Sequence, residues 1–176
     1  LLKINLVTTF IGRNKNLNIT DNLELAGNVW KPILEYAESL NEKIAIENCP
    51  MLFTEDEWPG GKNIAVSPAI WRELFKRLPS EYLGLNFDPS HFIWQEMDYI
   101  RPLYEFKDKI FHVHYKDIRV DKEARNEVGV LATPLSYMVP CIPGHGDVNW
   151  ARYISALLEI GYQGAACIEV EDKSFE

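Results

Sequence analysis

The chain is short of basic residues, of cysteine pairs and of long apolar runs, and each shortage removes a class of function. Lys and Arg number 18 against 26 Asp and Glu, a net charge of -8. Most of such a surface repels a phosphate backbone, so nucleic acid is not an expected partner. Cys49, Cys141 and Cys167 are odd in number and far apart, with no Cys-x-x-Cys spacing. Neither a disulfide framework nor a thiolate zinc knuckle is indicated, and a reducing cytoplasm is the expected compartment. No signal-peptide pattern is read, and no apolar run approaches the roughly 20 residues of a membrane span. A soluble protein without a membrane partner is expected.

The 176 residues are 47% hydrophobic and 12% aromatic. That is enough for one globular core, so residues 1–176 are read as a single domain. Two of only four histidines fall in one short stretch, Phe111-His112-Val113-His114-Tyr115-Lys116-Asp117. As a β-strand it turns Phe111, Val113 and Tyr115 one way and His112, His114 and Lys116 the other. A merely solvated face carries Lys, Glu or Thr more often than imidazoles, so a catalytic or metal-binding strand end is favoured.

The rest of the chain repeats strand, loop and helix. The run from Leu1 to Val7 reads as a buried strand, and since it begins without methionine the chain is expected to be a fragment. Thr20-Asp21 offers an N-cap for a helix carrying Leu23, Ala26, Trp30, Ile33, Leu34 and Ala37, which Pro32 should kink or restart. A second strand, Lys43 to Asn48, stops at Cys49-Pro50, and a loop follows through Trp58-Pro59-Gly60-Gly61. Ser67-Pro68 opens a helix with Ile70, Trp71, Leu74, Phe75 and Leu78 on its buried stripe. Leu83 to Phe87 is a third strand, and Gln95 to Phe106 a helix interrupted by Pro102. Ile118 to Pro143, about 26 residues without a sustained period, reads as an active-site cover. Gly144-His145-Gly146-Asp147 then leads into a helix from Asn149, closed by Gly161, and a last strand from Ala165 to Glu169.

Strands alternating with helices imply a parallel sheet, whose chemistry lies beyond the carboxyl ends of the strands. Successive strands here end with Glu47, Asp88, His114 and Glu169, and each interval is long enough for a strand–helix crossover. Three carboxylates and an imidazole suit Mn²⁺, Mg²⁺, Co²⁺ or Zn²⁺ better than a thiolate-bound metal. Each residue alone has a plainer reading. Glu47 or Glu169 could cap a helix or pair with a cation, and Asp88 before Pro89 could form a turn. His112 reads as a hydrogen-bonded interior residue and Glu171 as a solvated one. His145, between two glycines, could be a loop residue, a substrate contact or a second metal contact.

Ile46-Glu47-Asn48-Cys49-Pro50-Met51, Phe87-Asp88-Pro89-Ser90-His91, His112-Val113-His114-Tyr115-Lys116-Asp117, Pro143 to Trp150 and Ile168-Glu169-Val170-Glu171-Asp172 together resemble the sugar phosphate isomerase/epimerase family, whose members are xylose isomerase-like (β/α)₈ TIM barrels. The resemblance implies one divalent metal, Mn²⁺ first among those named, on Glu47, Asp88, His114 and Glu169. It places His91 near a small carbohydrate substrate and Lys116, Asp117 and Arg119 at the rim; His145 is taken as a further substrate contact. Glu47 and Glu169 would exchange the substrate proton next to a carbonyl.

A complete barrel needs roughly 250 residues, so the resemblance covers about the fourth to the eighth strand. An incomplete barrel exposes sheet edges that another chain, a missing segment or aggregation would cover, which makes a homo-oligomer a possible partner. Other functions stay open. Dehydration of a keto-inositol begins with the same proton transfer. A three-zinc apurinic-site endonuclease of the same superfamily would need an Asp-x-His pair after the histidine strand, and none is there. A non-catalytic binding fragment would keep the fold without turnover.

Overall fold

The computed structural model describes residues 4–51 and 60–175. Five parallel strands, β1 (Leu6–Thr9), β2 (Lys43–Glu47), β3 (Leu83–Phe87), β4 (Ile110–Tyr115) and β7 (Ala165–Ile168), form one curled sheet in the order β1-β2-β3-β4-β7. A small antiparallel pair, β5 (Asp117–Val120) and β6 (Met138–Cys141), projects from the end of β4. The helices are α1 (Ile19–Ser39), α2 (Pro68–Arg77), α3 (Ser90–Ile93), α4 (Arg101–Glu105), α5 (Lys122–Val128) and α6 (Trp150–Glu159).

α1 starts two residues earlier than a cap at Thr20 predicts, because the Asn18 side chain accepts from the Asp21 amide at 2.9 Å and supplies the cap. It runs unbroken through Pro32. Pro32 lies on the exposed face, so the carbonyl that loses its intrahelical partner faces water rather than the core. Ile33 shares that exposure, while Leu23, Ala26, Leu34 and Ala37 are buried. α2 begins at Pro68 and buries Trp71, whose indole N–H donates to the Ala65 carbonyl at 2.7 Å. The Trp71 ring meets Phe87, Phe92 and Phe106 edge-on at 5.3–6.1 Å, joining α2, β3 and the following turns into one core. Burying a side chain of this size removes roughly 150–250 Å² from water, so this cluster dominates the local packing.

β3 is the innermost strand, with all five residues buried. Gly84 is required there, since a Cβ would stand 2.4 Å from the Lys109 carbonyl oxygen. In β4, Val113 is fully buried and Tyr115 packs on Trp150 and Tyr153 of α6.

Three expectations change. β1 spans Leu6–Thr9, and Leu1, Leu2 and Lys3 lie outside the described residues, as do Trp58 and Pro59 of the loop after β2. The helix expected from Gln95 to Phe106 is only α4: Pro102 sits in its first turn, and Glu96 has a positive φ of 55° that no helix tolerates. The stretch from Ile118 to Pro143 is structured by the β5–β6 pair and by α5, which Asp121 caps by accepting from the Ala124 amide. Short elements of four to seven residues leave too few periods to read in the sequence.

Candidate metal centre

The four strand-end residues meet. Glu47 closes β2, Asp88 follows β3, His114 is the fifth residue of β4, and Glu169 follows β7, its amide donating to the Tyr115 carbonyl. One ligand atom from each lies within 4.8 Å of the others. His114 Nδ1 is the hub, 2.9 Å from Glu169 Oε2, 3.6 Å from Asp88 Oδ2 and 3.7 Å from Glu47 Oε1.

Buried amides set this geometry. Asn48 clamps the ends of β2 and β3: its Oδ1 accepts from the Asp88 amide at 2.8 Å, and its Nδ2 donates to the Asp88 carbonyl at 2.9 Å. Asn63 Nδ2 donates to the Glu47 and Cys49 carbonyls at 2.7 Å each. Asn86 lies between His112 and His114 and touches both rings. Asp88 divides its labour: Oδ1 accepts from the Ser90 amide at 2.8 Å, making the turn into α3, while Oδ2 faces the site.

Asp88 Oδ2 and His91 Nε2 are buried without a hydrogen-bond partner among the described residues, and the polar neighbours of buried His114 Nδ1 are carboxylates, with Glu169 Oε2 at 2.9 Å. Leaving such groups unsatisfied costs about 1–3 kcal/mol each, and a divalent cation among the carboxylates would offset it. Two unit charges about 4 Å apart interact by about 4 kcal/mol at an effective dielectric of 20, which shows how strongly the cluster needs a counter-charge. Burial, helped by Asp88 and Glu169, raises Glu47 to about 7. Burial opposes a charged ring at His114, but Asp88, Glu169 and Glu47 outweigh it and push the group up to about 10. Beside His114 and Lys116, Glu169 is held well below the usual carboxylate range.

A second group, Glu47, Cys49 and His91, is also mutually within reach. Burial pushes the Cys49 thiol up to about 12, so a thiolate is disfavoured and the oxygen and nitrogen set fits a metal better.

The site opens into a cleft of about 330 Å³. Glu47, His91, Lys116, Glu169 and Glu171 form its polar floor, and Phe10, Met51, Trp94, Leu135 and Met138 its apolar wall. Lys116 is 6% exposed, with Nζ 2.7 Å from Glu169 Oε1 and 3.0 Å from Glu171 Oε2. Glu171, read from sequence as solvated, therefore also faces the cleft.

Two expected substrate contacts are not brought there. Arg119 is exposed on β5, where strand alternation turns it away from buried Ile118 and Val120. His145 is exposed and packs on Phe175, ring centroids 5.8 Å apart. Asp117, expected at the rim, is fully buried instead. Its Oδ1 accepts from the amides of Ile118 and Val148, and its Oδ2 from those of Gly144 and Gly146 and from Trp150 Nε1, at 2.8–3.1 Å. A Cβ at Gly146 would lie 2.2 Å from Asp117 Oδ1, so the Gly-His-Gly-Asp segment is shaped to wrap that carboxylate.

The strand-end donors thus gather at one mouth of a curled parallel sheet. Residues 2–175 match the family described as the xylose isomerase-like TIM barrel. The chain belongs to that family. Among curated relatives it is 30% identical over 155 residues to the uncharacterized protein YfiH of Bacillus subtilis, covering 81% of this chain and 45% of YfiH. It is 30% identical over 91 residues to the inosose dehydratase of Lactiplantibacillus plantarum, 51% of this chain and 30% of that enzyme. Among solved structures it is similar to a D-tagatose 3-epimerase-like protein (TM-score 0.67, 21% identity, 96% of this chain and 56% of that one). The IOLI protein with a binding zinc atom is comparable (TM-score 0.67, 19% identity, 97% and 54%). At those identities the structural likeness establishes the fold alone. The chain thus spans less than half of these curated relatives and just over half of these structures, and its sheet is an incomplete xylose isomerase-like barrel. No helix among the described residues is long and apolar enough to cross a membrane.

Proposed function

We propose that residues 1–176 form a single partial-barrel domain carrying the metal-binding half of a divalent-metal-dependent isomerase or epimerase. The substrate class is a sugar, sugar phosphate or related keto-polyol, and the reaction is proton transfer next to a carbonyl through an enediolate. The observation that carries the reading is the convergence of Glu47, Asp88, His114 and Glu169, three carboxylates around one imidazole nitrogen, with buried Asp88 Oδ2 left without a hydrogen-bond partner among the described residues. All four would hold one cation, Mn²⁺ in the first place and Mg²⁺, Co²⁺ or Zn²⁺ otherwise. When bound, that cation supplies Lewis-acid polarisation of the substrate carbonyl.

The protein groups do the rest. Burial raises Glu47 to about 7 in the metal-free site; with a cation beside it the group would be a carboxylate, the form that takes a proton and gives it back. Glu169 stands across β3 and β4 from Glu47 and already holds Lys116 and His114 on its two oxygens. A carboxylate on each side permits removal at one face and return at the other. His91 and Lys116, both lining the cleft, would orient substrate oxygens. The apolar wall excludes water from the developing charge.

Keto-inositol dehydration is the second reading, favoured by the similarity to inosose dehydratase over half the chain. It shares the first proton transfer and differs in loss of a hydroxyl. A zinc apurinic-site endonuclease is disfavoured by the net charge of -8. A reducing cytoplasm remains our reading of the three unpaired cysteines.

The deciding assay follows solvent deuterium exchange at the carbon next to the carbonyl in the full polypeptide, across ketoses, hydroxypyruvate and keto-inositols, with each metal. Exchange with an epimerised product supports the first reading, and exchange with loss of water the second. No exchange in any metal-loaded pairing would rule out both and leave a binding role.

A further inference from the structure

We propose that Asn86 is a positioning residue of the metal centre, one amide bonded to two histidine rings that holds His114 with Nδ1 turned into the carboxylates. The proposal rests on the four-residue reading of that centre given above.

Asn86 lies on β3 in register with His112 of β4 and is 1% exposed. Its Nδ2 is 3.0 Å from His114 Nε2, and its Oδ1 is 2.8 Å from His112 Nδ1. The two rings stand at 88° to each other with centroids 5.5 Å apart, so the amide fills the corner between them. Asparagine is disfavoured inside strands, and a buried amide is costly unless bonded. Leu85 and Phe87 point to the other face of the sheet, and the Asn86 side chain is packed out of water against the two imidazoles; an aliphatic group there would satisfy burial alone. What the aliphatic group could not do is fix the edge that His114 presents.

That edge matters because a half-turn of the ring would put carbon where Nδ1 now faces Glu47, Asp88 and Glu169. Metal-bound histidines use their other ring nitrogen to donate to a nearby acceptor, which locks tautomer and orientation. With Nδ1 given to a cation, the His114 proton sits on Nε2, and Asn86 can meet it with Oδ1 while Nδ2 donates to His112 Nδ1. The amide serves either tautomer by turning over, and His112 completes the arrangement on its far side. No net proton is gained or lost by the amide.

The test measures Zn²⁺ affinity by calorimetry in the purified protein and its Asn86→Leu, Asn86→Asp and His114→Ala variants. Asn86→Leu keeps the branched shape and removes both bonds, and should weaken Zn²⁺ about 10- to 100-fold, the usual cost of losing such a partner. Asn86→Asp offers an acceptor to His114 Nε2–H and should return affinity to within severalfold of the parent. A merely structural role would lower the melting temperature of both variants without this rescue. Wild-type affinity in Asn86→Leu, or Asn86→Asp no better than Asn86→Leu, overturns the proposal. If Asn86→Leu does not fold, imidazole ¹⁵N spectra of the Zn²⁺-loaded parent decide it: a slowly exchanging His114 Nε2–H supports the bond, and a rapidly exchanging one overturns it. His114→Ala separates the two layers of argument. Unchanged affinity there sinks the four-residue centre itself, whereas loss there beside wild-type affinity in Asn86→Leu sinks only the role of Asn86.

Discussion

β3 and β7 each deliver one carboxylate to the proposed cage, and they are opposite kinds of strand. β3 is paired on both sides and buried along its whole length, whereas β7 pairs only with β4 among the described residues and is exposed throughout. Asp88 inherits the rigidity of β3: fully buried, it is braced by Asn48 and by the Ser90 amide. Glu169 has a side chain 30% exposed and is held by Lys116 and His114 instead of backbone donors. One carboxylate is built as a fixed ligand, the other as a group that can change partners. That division suits a site in which Asp88 and His114 hold position while Glu169 and Glu47 handle protons.

The sharpest way to break the contrast is to remove ligands one at a time. His114→Ala or Asp88→Ala should cost more metal affinity than the roughly 10- to 100-fold of an outer partner, and metal content measured after dialysis should fall close to zero. Glu169→Gln, which keeps an oxygen, should lose less. His112→Ala should mainly lower the melting temperature, because its ring bonds Asn86 rather than facing the carboxylates. Metal lost on His112→Ala but kept on His114→Ala would reverse the assignment of the two rings.

Proton transfer comes next in size. In the metal-replete full polypeptide, Glu47→Gln and Glu169→Gln should each slow substrate deuterium exchange by about 10²-fold or more, the scale of a lost general base. Substrate binding should survive better than turnover, and the two losses need not add. Near-normal exchange with full metal occupancy would leave that residue a ligand only.

How much of this was legible in the sequence follows the same divide between long-range frame and local detail. β2 and β3 were readable because short apolar runs stopped by Cys-Pro and Asp-Pro mark buried parallel strands, and the histidine strand because it alternates; once such strands alternate with helices their ends can converge. The β5–β6 pair was not, since Met138-Val139-Pro140-Cys141 pairs at the margin, with a proline, and carries no period. Arg119 and His145 lie away from the cleft for different reasons: Arg119 is on β5, a strand too short to read, whose parity turns it outward, and His145 is on the irregular turn beyond β6. Asn48, Asn63 and Asn86 were missed although a signal existed. An asparagine inside Leu-Gly-Leu-Asn-Phe or after Ile-Ala-Ile-Glu is out of character for a buried strand, and such a residue needs a bonded partner.

Asp117 tests the loop rather than the cage. Replacing it by Ala strands the buried amides of Ile118 and Val148, each worth about 1–3 kcal/mol if unsatisfied, and frees the part-buried donors of Gly144, Gly146 and Trp150, which water can reach at lower cost. A melting temperature lower by several degrees, with metal affinity less affected than in Asp88→Ala, is the expected result. Equal loss of metal in the two variants would mean that the Gly-His-Gly-Asp segment helps set Lys116 and His114.

The smallest effect is a pH dependence, and it separates Glu47 from Glu169 without any mutation. Glu47 sits near 7, raised by burial, and His114 near 10, where the carboxylates outweigh burial; Glu169 is depressed and ionised across this range. Both raised groups favour the metal-free fold on the acid side, Glu47 losing that contribution as pH rises through about 7 and His114 as it rises through about 10. A cation needs the Glu47 carboxylate and a free His114 Nδ1, so uptake should release about two protons below pH 7 and about one between pH 7 and 10. Calorimetry in buffers of differing ionisation enthalpy counts those protons directly, and the apparent affinity should steepen correspondingly toward the acid side. One released proton throughout, with no change of slope near neutrality, would mean that Glu47 is already ionised in the metal-free protein.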